Sequence, residues 1–142
     1  MGIHCAHDDA RMQRSDTQTI SIAAPPAAVL AIVGDPQQLP LWAPDFARSI
    51  RPDGEDLLVE TGAGELRIHV RVSPELGTVD FLAAGLPAGV EVGAFSRVVA
   101  NGSGSEYGFT QFLGPDDDLA ERRAVVAAEL ETVRAMCEGV RA

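Results

Sequence analysis

The chain contains no lysine. All eleven of its basic residues are arginine, which excludes a Schiff-base lysine and the lysine of a phosphate-binding loop. Positive charge is scarce altogether, since 21 acidic residues outweigh the basic ones and leave a net charge of −10. Phosphate backbones and anionic membranes demand a basic surface, so no nucleic-acid partner is expected. Cysteine is nearly absent too: Cys5 and Cys137 form no spaced motif, and a disulfide framework is not indicated. No apolar run reaches transmembrane length, and residues 1–16 lack the hydrophobic stretch of a signal peptide. The expectation is therefore a cytoplasmic protein with no membrane insertion.

Residues 1–16, "MGIHCAHDDARMQRSD", are polar and aperiodic, and read as a flexible N-terminal tail. The "HCAH" at 4–7 within it does not make a metal site, because zinc wants three or four ligands on a fixed scaffold. No metal and no cofactor are expected. Residues 17–142 remain as one domain, and 46% hydrophobic against 23% charged residues is the balance of a globular chain with a real core.

"QTISIAA" (18–24) alternates and predicts a strand. Pro25 and Pro26 suit a helix start, Ala27 to Val33 give a compact apolar helix, and Gly34 fits its stop. Residues 35–46 are broken by Pro36, Pro40 and Pro44 and hold only a short second helix and a bend. From about 46 to 113 the chain reads as strands divided by "RPDGE", "TGAGE", "SPELG", "GLPAG" and "NGSGS". From Pro115 onward it turns helical, with Asp116, Asp117 and Asp118 where negative charge suits the helix dipole. Leu119, Val126, Leu130, Val133, Cys137 and Val140 then trace one apolar stripe. A sheet that buries one face needs a cover, and this helix is the only element long enough.

"TISIAAPPAAVLAIVGDPQQLPLWAPDF" resembles the opening of the START-like, polyketide-cyclase/dehydrase superfamily (SRPBCC). Ile20, Ala24, Pro25, Val29, Asp35, Pro36, Leu39 and Trp42 are the matching positions. "RVVANGSGSEYGFTQF" resembles that group's penultimate hairpin, and the resemblance spans roughly residues 18–140. It implies an α+β helix-grip fold. A seven-stranded antiparallel curved sheet wraps around the long C-terminal helix, with two short helices between strands 1 and 2 and a deep cavity between sheet and helix. Members of the superfamily bind lipids, sterols, polyketides or plant hormones, and some close or dehydrate aromatic rings. No catalytic signature spans them, so no catalytic residue is carried over.

Hairpin register predicts which side chains face that cavity. A turn at Ala63–Gly64 pairs Val59 with Ile68 and Leu57 with Val70, and sets Glu60 beside Arg67 outside. Across "SPELG", Val72 meets Val79, Val70 meets Phe81 and Arg71 meets Asp80. Across "NGSG", Val98 meets Tyr107, Ser96 meets Phe109 and Ala94 meets Gln111. The inner face then carries small residues, Ala83, Ala94 and Ser96, beside Tyr107 and Gln111, with Ala124, Ala127 and Ala128 flanking the helix stripe opposite. Small residues on both walls leave volume for water or a ligand. Tyr107 and Gln111 either orient that ligand or bond each other, Ser96 or backbone.

Further candidates complete the expected ligand-binding set of Trp42, Arg48, Phe81, Ala94, Ser96, Tyr107, Phe109, Gln111 and Leu130. Trp42 plugs the core, lines the cavity mouth, or both. Simple register points Arg48 inward, whereas one bulge exposes it. His69 falls on the outer face as a solvated residue, and Cys137 reads as core. Phe95 and Phe112 lie diagonal on the outer face and offer a surface for a second copy.

Three functions follow. The first is binding of a small, largely apolar ligand of lipid, polyketide or aromatic type in the cavity. The second is a cyclase/dehydratase with Tyr107 as acid and Arg48 or Gln111 orienting a carbonyl. The third is a protein-interaction module. Binding leads, because no inner position read from the sequence is His, Asp or Glu.

Overall fold

The computed structural model describes residues 12–139. Its elements run β1 (Arg14–Ile22), α1 (Pro26–Val33), a 3-10 turn (Pro36–Gln38), α2 (Leu39–Trp42), β2 (Ser49–Asp53), β3 (Asp56–Thr61), β4 (Gly64–Ser73), β5 (Thr78–Ala83), β6 (Gly93–Asn101), β7 (Gly104–Leu113) and α3 (Leu119–Glu138). One curved antiparallel sheet has the order β1-β7-β6-β5-β4-β3-β2, and α3 packs against β1, α1 and α2. This is the helix-grip arrangement that the family resemblance implied.

Local chemistry explains the boundaries. Pro25 and Pro26 open α1, and the Gly34 N–H closes it on the Leu30 carbonyl. The Asp35 side chain accepts from the Gln37 N–H and starts the 3-10 turn (3.0 Å). Asp118 caps α3 by accepting from the Glu121 N–H (3.0 Å), while Asp117 accepts from the Gly114 N–H (2.7 Å). The last helix thus begins at Leu119, four residues after Pro115. Val126, Leu130 and Val133 are buried as the stripe required, whereas Leu119 is exposed and Cys137 only half-buried. Val140 lies outside the described residues.

The first strand corrects the tail boundary. β1 starts at Arg14, pairs with β7 from its first residue, and buries Asp16. Residues 14–16 therefore belong to the sheet. The remainder of the expected tail, His4, Cys5 and His7 included, lies outside the described residues through residue 11.

Two of the hairpin registers hold and one shifts. Val70 opposes Phe81, Val72 opposes Val79, Val98 opposes Tyr107 and Ser96 opposes Phe109. Burial alternates accordingly along β7, with Tyr107, Phe109 and Gln111 buried and Phe112 exposed. The β3–β4 turn is instead Gly62–Ala63, so Val59 opposes Leu66 and Leu57 opposes Ile68. The Thr61 hydroxyl fixes that turn, donating to the Gly64 carbonyl (2.7 Å) and accepting from the Ala63 N–H (3.1 Å). A two-residue shift preserves which face each side chain occupies. It does break the expected Glu60–Arg67 pair: Glu60 faces Glu65, and Arg67 contacts Asp53 and Asp56. Across the β2–β3 hairpin Ile50 meets Val59.

Candidate functional site

Between the sheet and α3 lies a cavity of about 670 Å³. Leu39, Trp42 and Phe46 wall it from α2 and the segment after it, Ile68, Phe81 and Phe109 from the sheet, and Val126 from α3. Trp42 meets Phe81 edge-on (centroids 6.0 Å, 65°), and Phe81 tilts against Phe109 (6.2 Å, 44°). Such aromatic contacts fix ring orientation beyond simple burial. Gly93 lets β6 begin close to β5: a Cβ there would stand 1.9 Å from the Phe81 carbonyl oxygen.

A second hollow of about 750 Å³ runs along the outside of α1, bordered by Leu30, Val72, Leu76 and Val99. It is the more open of the two, and its charged residues are Asp35, Glu75 and Arg97. Arg97 is already bonded to the Leu76 carbonyl (3.2 Å). Of the two, only the cavity between the sheet and α3 has aromatic walls and a perturbed carboxyl, and it is therefore the candidate site.

Of the residues expected from sequence, Trp42, Phe81, Ala94, Phe109 and Gln111 border the cavity. Arg48, Ser96, Tyr107 and Leu130 do not. Arg48 is exposed, its backbone N–H held by the Glu60 carbonyl (2.9 Å) and its guanidinium over Gly62. Ser96 gives its hydroxyl proton to the Val79 carbonyl (2.7 Å). Tyr107 is fully buried in the packed core, its hydroxyl without a hydrogen-bond partner. Burial drives its phenol well above the usual range; the neighbouring Ser96 hydroxyl opposes this and Glu129 and Cys137 add to it. Leu130 packs in the same core. Ala124, Ala127 and Ala128 are exposed and line nothing.

Gln111 is held from two sides. Its Nε2 donates to Asp16 Oδ2 (3.3 Å) and to the Arg122 carbonyl (3.2 Å), tying β7 to β1 and α3. Asp16, itself buried, also accepts from Gln18 Nε2 (3.0 Å) and pairs with Arg123 Nε (3.3 Å). The amide's backbone and carboxylate bonds are thus real, and its place on the cavity wall is real as well.

The residue the sequence reading missed is Glu129. It borders the cavity, and its carboxylate has no hydrogen bond or ion pair to any described residue. Burial raises its carboxyl to about 7; Arg122 opposes the rise and Asp45 adds to it. The signal was available: Arg122, Val126, Glu129 and Val133 follow the four-three-four spacing of one helix face. Two of those residues are buried apolar side chains, which places the two charged ones on the same wall. Asp16 was missed because it sat in the presumed tail.

Phe95 and Phe112 pack edge-on across the β6–β7 hairpin (6.2 Å, 82°), and both border the cavity, with Phe112 half-exposed. Among the described residues no group of His, Cys, Asp and Glu could hold a metal, and no helix is long and apolar enough to cross a membrane.

Residues 13–86, just over half the chain, match the family described as polyketide cyclase / dehydrase and lipid transport. No curated protein matches the sequence. Among solved structures, the Aha1 dimer from Colwellia psychrerythraea is similar at 18% identity and a TM-score of 0.66, over 88% of this chain and 96% of that one. The protein XoxI from Bacillus cereus is similar at 15% identity and 0.63, over 86% and 94%. DynU16, from the dynemicin biosynthetic locus, is similar at 19% identity and 0.61; 88% of this chain aligns with 48% of it. At such identities the likeness is one of fold.

Proposed function

The chain belongs to the polyketide cyclase/dehydrase and lipid transport family of the START-like superfamily, and from that premise we propose that it binds a small, largely apolar ligand of lipid, polyketide or aromatic type between its sheet and α3. The observation that carries this reading is the cavity itself. Aromatic and aliphatic side chains form most of its wall, and Gln13, Glu91, Gln111, Arg122 and Glu129 are its few polar side chains. An apolar hollow with sparse polar groups binds by excluding water from the ligand's carbon skeleton and orienting its one polar end. The site residues on this reading are Trp42, Phe81, Ala94, Phe109, Gln111, Arg122 and Glu129. Native mass spectrometry of freshly purified protein tests it: a retained small molecule, lost on Ala94→Phe, supports the reading. A bare chain that also takes up no hydrophobic probe opposes it.

Glu129 favours a second reading, an enzyme of the cyclase/dehydratase kind. A carboxyl titrating near 7 in an apolar setting is suited to carry a proton to or from a substrate carbon or oxygen, which Tyr107 is too deeply buried to do. Turnover that follows a carboxyl titration and disappears in Glu129→Gln, with ligand binding retained, separates catalysis from carriage. The half-exposed Phe95–Phe112 pair is the surface we propose for a second copy.

A further inference from the structure

The polar groups of the cavity wall are unequally supplied with partners. Gln111 spends its amide nitrogen on Asp16 and the Arg122 carbonyl, so it still offers an oxygen, an acceptor. Glu129 has neither a donor nor a counter-charge in contact among the described residues. The donors are elsewhere or committed: Gln13, exposed at the cavity rim, gives its Nε2 to the Leu113 carbonyl (3.5 Å). Trp42 Nε1 and Tyr107 Oη are sealed within the packing, and Ser96 is committed to Val79. Arg122 is seven positions before Glu129, two helical turns and about 10 Å along α3. It is also exposed, so water competes for its guanidinium.

Charge points the same way. Asp45, in the segment after α2, acts on Glu129 with the same sign, and Arg122 on α3 with the opposite one. From the sheet, Tyr107 is neutral and Gln111 uncharged, while Glu91 at the cavity edge is already held by Arg71 (2.6 Å). A partly dehydrated carboxylate without a donor is the costly element of this wall, and a ligand that brings one removes the cost.

Resting on the reading that the cavity holds an apolar ligand, we infer that it selects molecules whose polar end donates hydrogen bonds to Glu129, a primary ammonium above all, and discriminates against carboxylates of the same chain length. An ammonium supplies both hydrogens and a counter-charge; a carboxylate brings a third acceptor and like charge to Glu129 and Asp45.

The test uses the full chain and three matched probes, octylamine, 1-octanol and octanoate, titrated by calorimetry at pH 8. Octylamine is expected to bind at least about tenfold tighter than octanoate, with octanol between them. Glu129→Gln should weaken octylamine about tenfold and leave octanol within about threefold. Octylamine stays protonated at pH 6, so protonation of Glu129, with its midpoint at about 7, should weaken it there by about tenfold. Octanoate binding as tightly as octylamine, or an unchanged octylamine affinity in Glu129→Gln, overturns the inference while leaving the cavity reading intact. Binding of none of the three, by protein with an intact melting transition, overturns the cavity reading and the inference with it.

Discussion

Replacing Gln111 with leucine measures how far the cavity wall is also a structural clamp. The substitution deletes two hydrogen bonds, 3.3 Å to Asp16 and 3.2 Å to the Arg122 carbonyl. The Arg122 carbonyl lies in the first turn of α3, so losing its second donor there matters little. Asp16 is different, because its side chain is only 4% exposed and keeps just Gln18 and Arg123 as partners. A hydrogen bond to a buried charged acceptor contributes about 1.5–3 kcal/mol. Both bonds are long, which favours the lower end, and the leucine recovers about 0.5–1 kcal/mol by removing an amide from a dry wall. The expected net loss is about 1 kcal/mol, or a fall of roughly 3 °C in Tm for a domain of this size. Thermal melting followed by circular dichroism, with urea unfolding on the same samples, reads it directly. An unchanged or higher Tm would refute the clamp and restore Gln111 as a purely ligand-facing amide. Sequence alone left open whether Gln111 orients a ligand or makes structural bonds, and its bonds to Asp16 and the Arg122 carbonyl give it the structural role on the cavity wall.

Tyr107→Phe removes a hydroxyl that has no partner, so it should leave stability unchanged or raise it by up to about 1 kcal/mol in a urea melt, and leave ligand affinity unchanged. Leu130→Ala, in the core beneath the cavity, should cost about 2–5 kcal/mol by the same assay. For Glu129 the folded carboxyl holds its proton up to about 7, above its unfolded value of 4.5. The native state therefore binds more protons than the unfolded chain between those values, and stability falls as pH rises through that window. Glu129→Gln should accordingly raise stability at pH 8, by about 3 kcal/mol at most, with a higher Tm, and do little at pH 4. Phe112→Ser should shift any dimer toward monomer in sedimentation velocity without lowering Tm by more than a few degrees, since the ring is half-exposed.

Much of this architecture was legible because it rests on period and punctuation. Alternation in β7, the turn residues of the β4–β5 and β6–β7 hairpins, the Pro25–Pro26 start and the Asp118 cap each constrain the backbone locally. The β3–β4 register was not legible in the same way. "TGAGE" admits two turns, and the Thr61 hydroxyl decides between them through bonds visible only in three dimensions. Arg48 precedes the first residue of β2 and is exposed, a placement that strand register does not decide. Asp16 was lost because a short polar segment looks alike whether it is free or paired to a neighbouring strand. The helix wall was misjudged for another reason. A buried stripe was read from apolar residues alone, so the alanines were assigned to the cavity and the charged residues to water. A helix of this length presents both edges of its buried face to a cavity, and Arg122 and Glu129 occupy one of them.

The central claim is that an apolar molecule occupies the space between sheet and α3, and the wall supplies its own reporter. Trp42 is the only tryptophan of the chain, and it borders the cavity against Phe81. Titration of N-phenyl-1-naphthylamine, a neutral apolar amine, with Trp42 emission followed alongside probe emission, is the most direct test. The account predicts saturable one-site binding with energy transfer from Trp42, and loss of that transfer in Ala94→Phe, where a ring fills the space opposite Phe81. Equal binding by the wild-type and Ala94→Phe proteins, or no saturable binding by the wild type, would contradict it.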